Sequence, residues 1–144
     1  MVDEPFIIER TYNAPVKKVW SAITDEHQMR QWYFDIPGFE AKAGFEFQFT
    51  GGTPDGIQYI HLCKIIELVP LKKLTHSWRY KGYPGESFVT WELFAEGNKT
   101  RVKLTHRGLA SFGTINPDFA KSNFIQGWTD IVGKMLPAFV ESGE

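Results

Sequence analysis

Four histidines, at positions 27, 61, 76 and 106, have the broadest chemical repertoire in this sequence. An imidazole can bind a metal, shuttle a proton, or donate and accept hydrogen bonds. None of them has the i, i+4 spacing of a helical zinc motif, and Cys63 has no partner cysteine. A metal site built by His61, His76 and His106 would require three separate strands to converge. We therefore predict neither a metal nor a cofactor.

Two interpretations of the strand histidines stay open. His76 and His106 alternate with polar residues, which predicts that both point to the inner face of a sheet. There they are either polar contacts within an apolar ligand pocket or hydrogen-bonded histidines of an ordinary core. His27 falls in a short polar helix, where a surface position is expected.

The other motifs of enzymes are missing from the sequence. No Gly-x-Ser-x-Gly elbow exists, and Ser111 and Ser122 have no local catalytic partner. The glycine-rich turn at 51–56 lacks the Gly-Lys-Ser/Thr ending of a phosphate-binding loop. We therefore predict no catalytic residue, and an enzymatic function is not favoured.

Aromatic content is the most unusual property of the chain, with twelve Phe, five Trp and five Tyr. Such rings either fill a core or line an apolar pocket. We favour a cavity of about 300–1,000 Å³, because a concave sheet and the helix above it rarely stay close along their whole length. The loops at 82–85 and 108–114 are expected to gate it. The predicted ligand-binding residues are Phe47, His61, His76, Trp78, Trp91, His106, Phe112, Phe124 and Trp128.

Composition excludes several classes of protein. The 144 residues carry 16 Lys and Arg against 17 Asp and Glu, a net charge of −1 that disfavours nucleic-acid binding. One cysteine, no signal sequence at the N-terminus and no long apolar run predict a cytoplasmic protein without a membrane span. The length predicts a single domain over residues 1–144.

Hydrophobic periodicity predicts the order of the elements. A strand at 6–12 is followed by a helix that starts near Pro15 and by a second short helix capped by Asp25. A period of two then predicts consecutive antiparallel strands from residue 45 to 107, and a long helix from 116–118 to about residue 140. The class is α+β, with six to seven strands in the sheet.

Two irregularities follow from the same patterns. Ile65 and Ile66 are both apolar, which predicts a β-bulge between residues 63 and 66. Pro137 lacks an N–H and its ring would clash with the carbonyl of Gly133, which predicts a bend of the last helix there. A curved sheet wrapped around one long helix is the expected architecture.

Several short motifs, in this order and spacing, resemble the Hsp90-ATPase-activator-homologue-like family of the START/Bet v 1-like helix-grip superfamily. The resemblance covers residues 7–139, although the paired-glycine turn of the family is Ala43-Gly44 here. It implies a helix-grip fold with a cavity between the sheet and the last helix. The motifs are Ala14-Pro15, Val19-Trp20, Thr24-Asp25, Trp32, residues 89–93, residues 100–109 and Gly127-Trp128.

Three functions compete on these grounds. The first is a small-molecule-binding protein that encloses an apolar or aromatic ligand, such as a lipid, a polyketide or a polyphenol. The resemblance implies a second, a co-chaperone that contacts an Hsp90-type chaperone through basic outer strands, although 144 residues leave no room for the additional domain of eukaryotic activators. The basic residues concerned are Arg79, Lys81, Arg101 and Lys103.

The third function is a cyclase or hydratase, as found among relatives in the wider superfamily, in which a cavity histidine acts as acid and base. His76 or His106, paired with Tyr59 or Tyr80, would take that role. Both a monomer and a homodimer are compatible with the sequence, and an exposed Phe34 or Phe39 would support the dimer.

Overall fold

One antiparallel sheet and one C-terminal helix form most of the regular structure. The computed structural model describes residues 5–33, 36, 38–51, 56–113, 119 and 121–141. The strands are β1 (Phe6–Tyr12), β2 (Glu46–Gly51), β3 (Tyr59–Val69), β4 (Lys73–Tyr80), β5 (Ser87–Glu96) and β6 (Lys99–Arg107). The helices are α1 (Val16–Thr24), α2 (Glu26–Trp32), α3 (Lys121–Asp130) and α4 (Leu136–Val140), with a π-helical segment, Ile131–Met135, between the last two.

The sheet has the strand order β1-β6-β5-β4-β3-β2, and every pairing is antiparallel. Five of the six strands follow one another as a meander, and β1 joins its far edge beside β6. The register of β3 against β4 shifts between Ile65 and Glu67, so the predicted bulge is confirmed. A bulge bends its strand and increases the local twist, which helps the sheet curve around the helix.

The first two helices contact each other, and α1 also packs on β5 and β6. Asp25 caps α2 as predicted, its carboxylate accepting a hydrogen bond from the backbone N–H of His27 at 3.4 Å. Trp32, at the end of α2, donates its indole N–H to the carbonyl of Ala22 at 2.8 Å. This buried hydrogen bond fixes α2 against α1, and so fixes where the chain leaves α2 toward the sheet.

The C-terminal helix runs through 20 consecutive residues from Lys121 to Val140. Its predicted start at 116–118 lies outside the described residues. At the predicted site of irregularity the helix changes to π geometry, in which the N–H of Leu136 bonds to the carbonyl of Ile131. The next donor in that register would be Pro137, which has no N–H. The carbonyl left over, that of Val132, accepts the buried hydroxyl of Tyr12 at 2.5 Å.

The core lies between the inner face of the sheet and the helices. Inward residues of β4, β5 and β6 alternate with exposed or half-buried ones, as the period of two predicts, except at Ser77 and Thr105, which are also buried. Within the described ranges, no helix is long and apolar enough to cross a membrane.

Candidate functional site

The predicted site residues of the central strands and the last helix share one interior face. Trp78 and Trp91 lie 5.6 and 5.9 Å from the ring of Trp128, measured between ring centroids. His106 lies 5.2 Å from Phe124. The structure therefore places these residues together between the sheet and the helix, as the alternation along the strands predicts.

These rings fill the space that they were expected to enclose. Trp78 packs edge-on against His61 at 5.0 Å, and Phe112 stacks on Phe124 at 5.8 Å. Rings at such separations are in direct contact, as in a packed core. No cavity of several hundred Å³ therefore lies between these described rings. The sequence reasoning overestimated the gap because it did not count the volume of so many aromatic side chains.

His106 is a structural residue held by hydrogen bonds at both ring nitrogens. The indole N–H of Trp128 donates to Nδ1 of His106 at 2.9 Å, so the imidazole proton must sit on Nε2. Nε2 then donates to the hydroxyl of Ser87 at 2.8 Å, and that hydroxyl donates to the carbonyl of Trp78 at 2.9 Å. The chain of bonds ties the last helix to strands β6, β5 and β4.

Burial and, to a smaller extent, the nearby His76 together lower the pKa of His106 to about 3. A proton added to Nδ1 would face the N–H of Trp128, so the network requires the neutral ring. A general acid–base must gain and lose a proton near the working pH. The geometry therefore does not favour the predicted acid–base role of His106.

The tyrosines predicted to assist such chemistry are also part of the packing. Tyr80 accepts a hydrogen bond from the indole of Trp78 at 2.9 Å and stacks on Phe119 at 4.2 Å. Burial raises its pKa above the ordinary range of tyrosine. Tyr59 lies edge-on to Tyr80 at 5.7 Å. Neither arrangement places a tyrosine hydroxyl beside His106 or His76 in the contacts described.

His61 lies in the same aromatic cluster. Its ring stacks on Phe49 at 4.5 Å, and its Nδ1 is 3.1 Å from the carbonyl of Tyr59. Burial lowers its pKa to about 4, and hydrogen bonds to the backbone of Tyr59 and Phe49 act in the opposite direction. Within the described ranges, no group of three His, Cys, Asp or Glu side chains could hold a metal ion.

A small cavity of about 20 Å³ remains where α2 and the segment after it meet β2, β4 and β5. Three predicted site residues, Phe47, His76 and Trp91, line it. Six further described residues line it, and sequence reasoning missed those of α2 and of the segment after it because only tertiary packing brings these parts of the chain to the sheet. The six residues are Ile23, Met29, Trp32, Tyr33, Phe39 and Leu74. Phe39 is buried, so it does not form the exposed dimer surface that was considered, and Phe34 lies outside the described residues.

The lining of this cavity is apolar and aromatic, apart from a few nitrogen and oxygen atoms. His76 has its Nδ1 2.8 Å from the carbonyl of Ser77. A carbonyl only accepts, so Nδ1 carries the proton and Nε2 presents a lone pair. Burial lowers the pKa of His76 to about 4, which keeps the ring neutral at pH 7.

The two loops expected to gate the interior are joined to each other. The hydroxyl of Ser111 accepts from the N–H of Glu86 at 2.8 Å and lies 2.7 Å from the carbonyls of Glu86 and Gly108. Phe112, predicted as part of a mobile gate, is buried against Phe124 and Tyr80. Thr114 lies outside the described residues.

The outer face of the sheet carries both signs of charge. Arg101 pairs with Glu96 at 3.2 Å and with Glu9 at 3.5 Å, and its guanidinium lies 4.2 Å from the centre of the Phe94 ring. Lys103 is flanked in register by Glu9 and Glu92. The basic outer stripe predicted for chaperone contact is therefore interrupted by acidic residues.

Comparison with solved structures places this architecture in a known group. Mll3558 from Rhizobium loti superposes with a TM-score of 0.81 at 23% identity, over 96% of this chain and 97% of that one. CalU16 from Micromonospora echinospora gives a TM-score of 0.73 at 28% identity, over 97% of this chain and 76% of that one.

DynU16, described as a protein of the dynemicin biosynthetic locus, gives a TM-score of 0.78 at 22% identity. The match covers 99% of this chain and 49% of that one, so this chain spans about half the length of DynU16. No curated protein matches the sequence. A family model described as activator of Hsp90 ATPase homolog 1-like protein matches residues 13–141. With the helix-grip architecture and this match over most of its length, the chain belongs to the activator of Hsp90 ATPase homolog 1-like family.

Proposed function

We propose that this protein binds a small apolar or aromatic molecule at the cavity beside α2, and that this cavity widens when the ligand enters. The observation that carries the proposal is the lining of the cavity: aromatic and aliphatic side chains surround a small number of polar atoms. That combination is typical of small-molecule sites. A relative of similar fold, DynU16, comes from the biosynthetic locus of a natural product, which is compatible with a ligand of this kind.

The wall formed by the segment after α2 supports an opening on this side. The backbone N–H groups of Phe39 and Lys42 bond to the nearby carbonyls of Ile36 and Glu40, within the segment itself. Phe39 rests on β2 through edge-on ring contacts with Phe45 at 5.8 Å and Phe47 at 5.2 Å. Moving Phe39 outward would therefore separate apolar contacts without breaking a strand pairing.

The opposite wall would stay fixed during such a movement. Leu74 and Trp91 face each other in the register of β4 and β5, inside a continuous antiparallel ladder. Buried ladder hydrogen bonds are costly to break, whereas ring contacts re-form on an apolar ligand. We therefore expect the ligand to take the place of Phe39 against the sheet.

The test is titration of the whole chain with N-phenyl-1-naphthylamine, a neutral apolar fluorophore whose emission rises in a dry site. We expect saturable binding of one molecule per chain, confirmed by native mass spectrometry. The substitution Leu74→Phe, which adds a ring to the cavity wall, should weaken binding at least tenfold. Leu93→Phe is the matched control, because Leu93 is equally buried on β5 but does not line the cavity.

Circular dichroism would first establish that both variants fold. Absence of saturable binding by the wild-type chain would refute the proposal whatever the variants do. Equal loss of affinity in both variants would place the ligand elsewhere in the core, and it would refute the assignment to this cavity.

A further inference from the structure

The cavity contains a hydrogen-bond donor and an acceptor that protein groups leave unused. Every fully buried side-chain nitrogen and oxygen among the described residues has a hydrogen-bond partner. Nε2 of His76 and the indole Nε1 of Trp91 have none within that part of the chain, so each atom must contact accessible space. Both residues are more than nine-tenths buried, and the space that both line is this cavity.

The sheet register places these two side chains as neighbours. Leu74 pairs with Trp91 and His76 pairs with Val89, so His76 and Trp91 are diagonal partners on the inner face of β4 and β5. Diagonal neighbours lie about 7–8 Å apart at the backbone, within reach of long aromatic side chains. One small group between them can therefore touch both.

The two atoms have opposite and fixed hydrogen-bond roles. The indole N–H only donates. Nε2 of His76 only accepts, because the proton of the neutral ring is held on Nδ1 by the carbonyl of Ser77 at 2.8 Å. A group that satisfies both must accept one hydrogen bond and donate another, and a hydroxyl does so with a single oxygen.

The size and charge of the cavity further limit which chemical group of a ligand can bind there. A volume of about 20 Å³ is enough for one water molecule, which needs about 10–15 Å³ by this measure. Among the described residues that line it there is no Lys or Arg to offset a carboxylate or a phosphate. A neutral hydroxyl is the smallest group that fits these limits, and the aromatic walls favour a ring attached to it.

We propose that His76 and Trp91 form a subsite for one neutral hydroxyl, occupied by water in the free protein and by the phenolic hydroxyl of an aromatic ligand in the complex. This inference rests on the proposed ligand-binding function and adds the chemical class of the ligand. The hydroxyl accepts from the indole of Trp91 and donates to Nε2 of His76. An ether oxygen in its place would leave Nε2 unpaired, and a methyl group would leave both atoms unpaired.

The experiment compares p-cresol, 4-methylanisole and p-xylene, which share a ring and a methyl group and differ in the group opposite. An apolar cavity alone would prefer p-xylene, because burying an unpaired hydroxyl is unfavourable. The subsite reverses that order, and we expect p-cresol to bind about tenfold more tightly than p-xylene, with 4-methylanisole weaker than p-cresol. Calorimetry on the whole chain measures all three affinities.

A spectroscopic readout identifies the atoms. In a proton–nitrogen correlation spectrum, the indole resonance of Trp91 should move downfield with p-cresol and not with p-xylene. Trp91→Phe should remove the preference for p-cresol and keep the binding of p-xylene. Trp20→Phe makes the same chemical change in α1, away from the cavity, and should leave the preference intact. His76→Asn retains a donor for Ser77 but lacks the distal acceptor, and it should also lose the preference.

The outcomes separate the two proposals. Binding of p-xylene as tight as p-cresol, or a preference that survives in Trp91→Phe, would overturn the hydroxyl subsite and leave the ligand-binding function standing. Binding of none of the three compounds, together with no binding of the naphthylamine probe, would refute both. Loss of the preference for p-cresol in both Trp91→Phe and His76→Asn supports the subsite, even if the control variant Trp20→Phe fails to fold.

Discussion

Acidification should unfold this protein because three of its four histidines are buried as neutral rings. Burial lowers the pKa of His61 and His76 to about 4 and that of His106 to about 3, against an ordinary value of 6.5. As the pH falls below 6.5, these histidines take up protons in the unfolded chain but not in the folded one. The unfolded state therefore binds more protons, and stability is full above about pH 6.5 and is lost toward pH 4.

The size of the effect follows from those values. At pH 5 each of the three histidines should cost about 2 kcal/mol of unfolding free energy, and together about 6 kcal/mol. Domains of this kind are stable by about 5–15 kcal/mol, so much of the stability would be gone. Between pH 5 and 6 the slope should correspond to about two to three protons, which is about 3–4 kcal/mol per pH unit.

Urea unfolding at a series of pH values between 5 and 7 measures this slope. His76→Asn should reduce it by about one third. His27→Gln is the control, because His27 is exposed, and it should leave the slope unchanged. A slope of one proton or less for the wild-type chain would refute the reasoning that the three rings are buried and neutral.

Three further predictions concern stability, each measured by urea unfolding at pH 7. Tyr12→Phe should cost about 1–3 kcal/mol, because the buried carbonyl of Val132 would lose the hydroxyl of Tyr12 as a donor, and a cost below 0.5 kcal/mol would contradict that hydrogen bond. Ser87→Ala should cost about 1–3 kcal/mol by removing the hydroxyl between the imidazole on β6 and the carbonyl on β4, and no loss would mean that this bridge is not formed. Gly85→Ala should destabilise the protein more than Gly82→Ala, although both glycines have a positive φ. Of the two, only residue 85 would bring its Cβ into other atoms, at 2.6 Å from the Phe112 ring and the Ser111 carbonyl oxygen. Equal losses of stability in the two variants would contradict this packing.

Most of the fold could be predicted from local patterns. The period of two along β4, β5 and β6 and the two adjacent isoleucines at 65 and 66 determine which faces are buried and where the bulge lies. Pro137 marks the irregular part of the last helix. Its form, a π-helical segment whose free carbonyl binds Tyr12, depends on a residue more than a hundred positions away.

The candidate site was less predictable because it is made by contacts between distant segments. The inward face of His76 and Trp91 follows from strand alternation, but Trp32, Tyr33 and Phe39 reach the cavity only through the packing of α2. Periodicity also does not measure volume, so it could not reveal that the cavity lined by these described residues is only about 20 Å³.

The histidines illustrate the same limit of sequence reasoning. The pattern along β4 and β6 gave His76 and His106 the same inward position. The structure separates them, since Trp128 and Ser87 occupy both nitrogens of His106, whereas His76 lines the cavity and its Nε2 has no hydrogen-bond partner among the described residues. Two of the motifs that carry the family resemblance, residues 100–109 and Gly127-Trp128, therefore meet in a structural hydrogen bond. Trp128, on the distant helix α3, occupies Nδ1 of His106, and this contact determines which of the two histidines is left to bind a ligand.

The most direct test of this account is a crystal structure of the chain grown with saturating p-cresol. We predict that the ring of p-cresol lies on β4 and β5 beneath a displaced Phe39. Its hydroxyl oxygen should lie within about 3 Å of both Nε2 of His76 and Nε1 of Trp91. A structure at saturation in which Phe39 stays against Phe47 and p-cresol is absent from this cavity would contradict it.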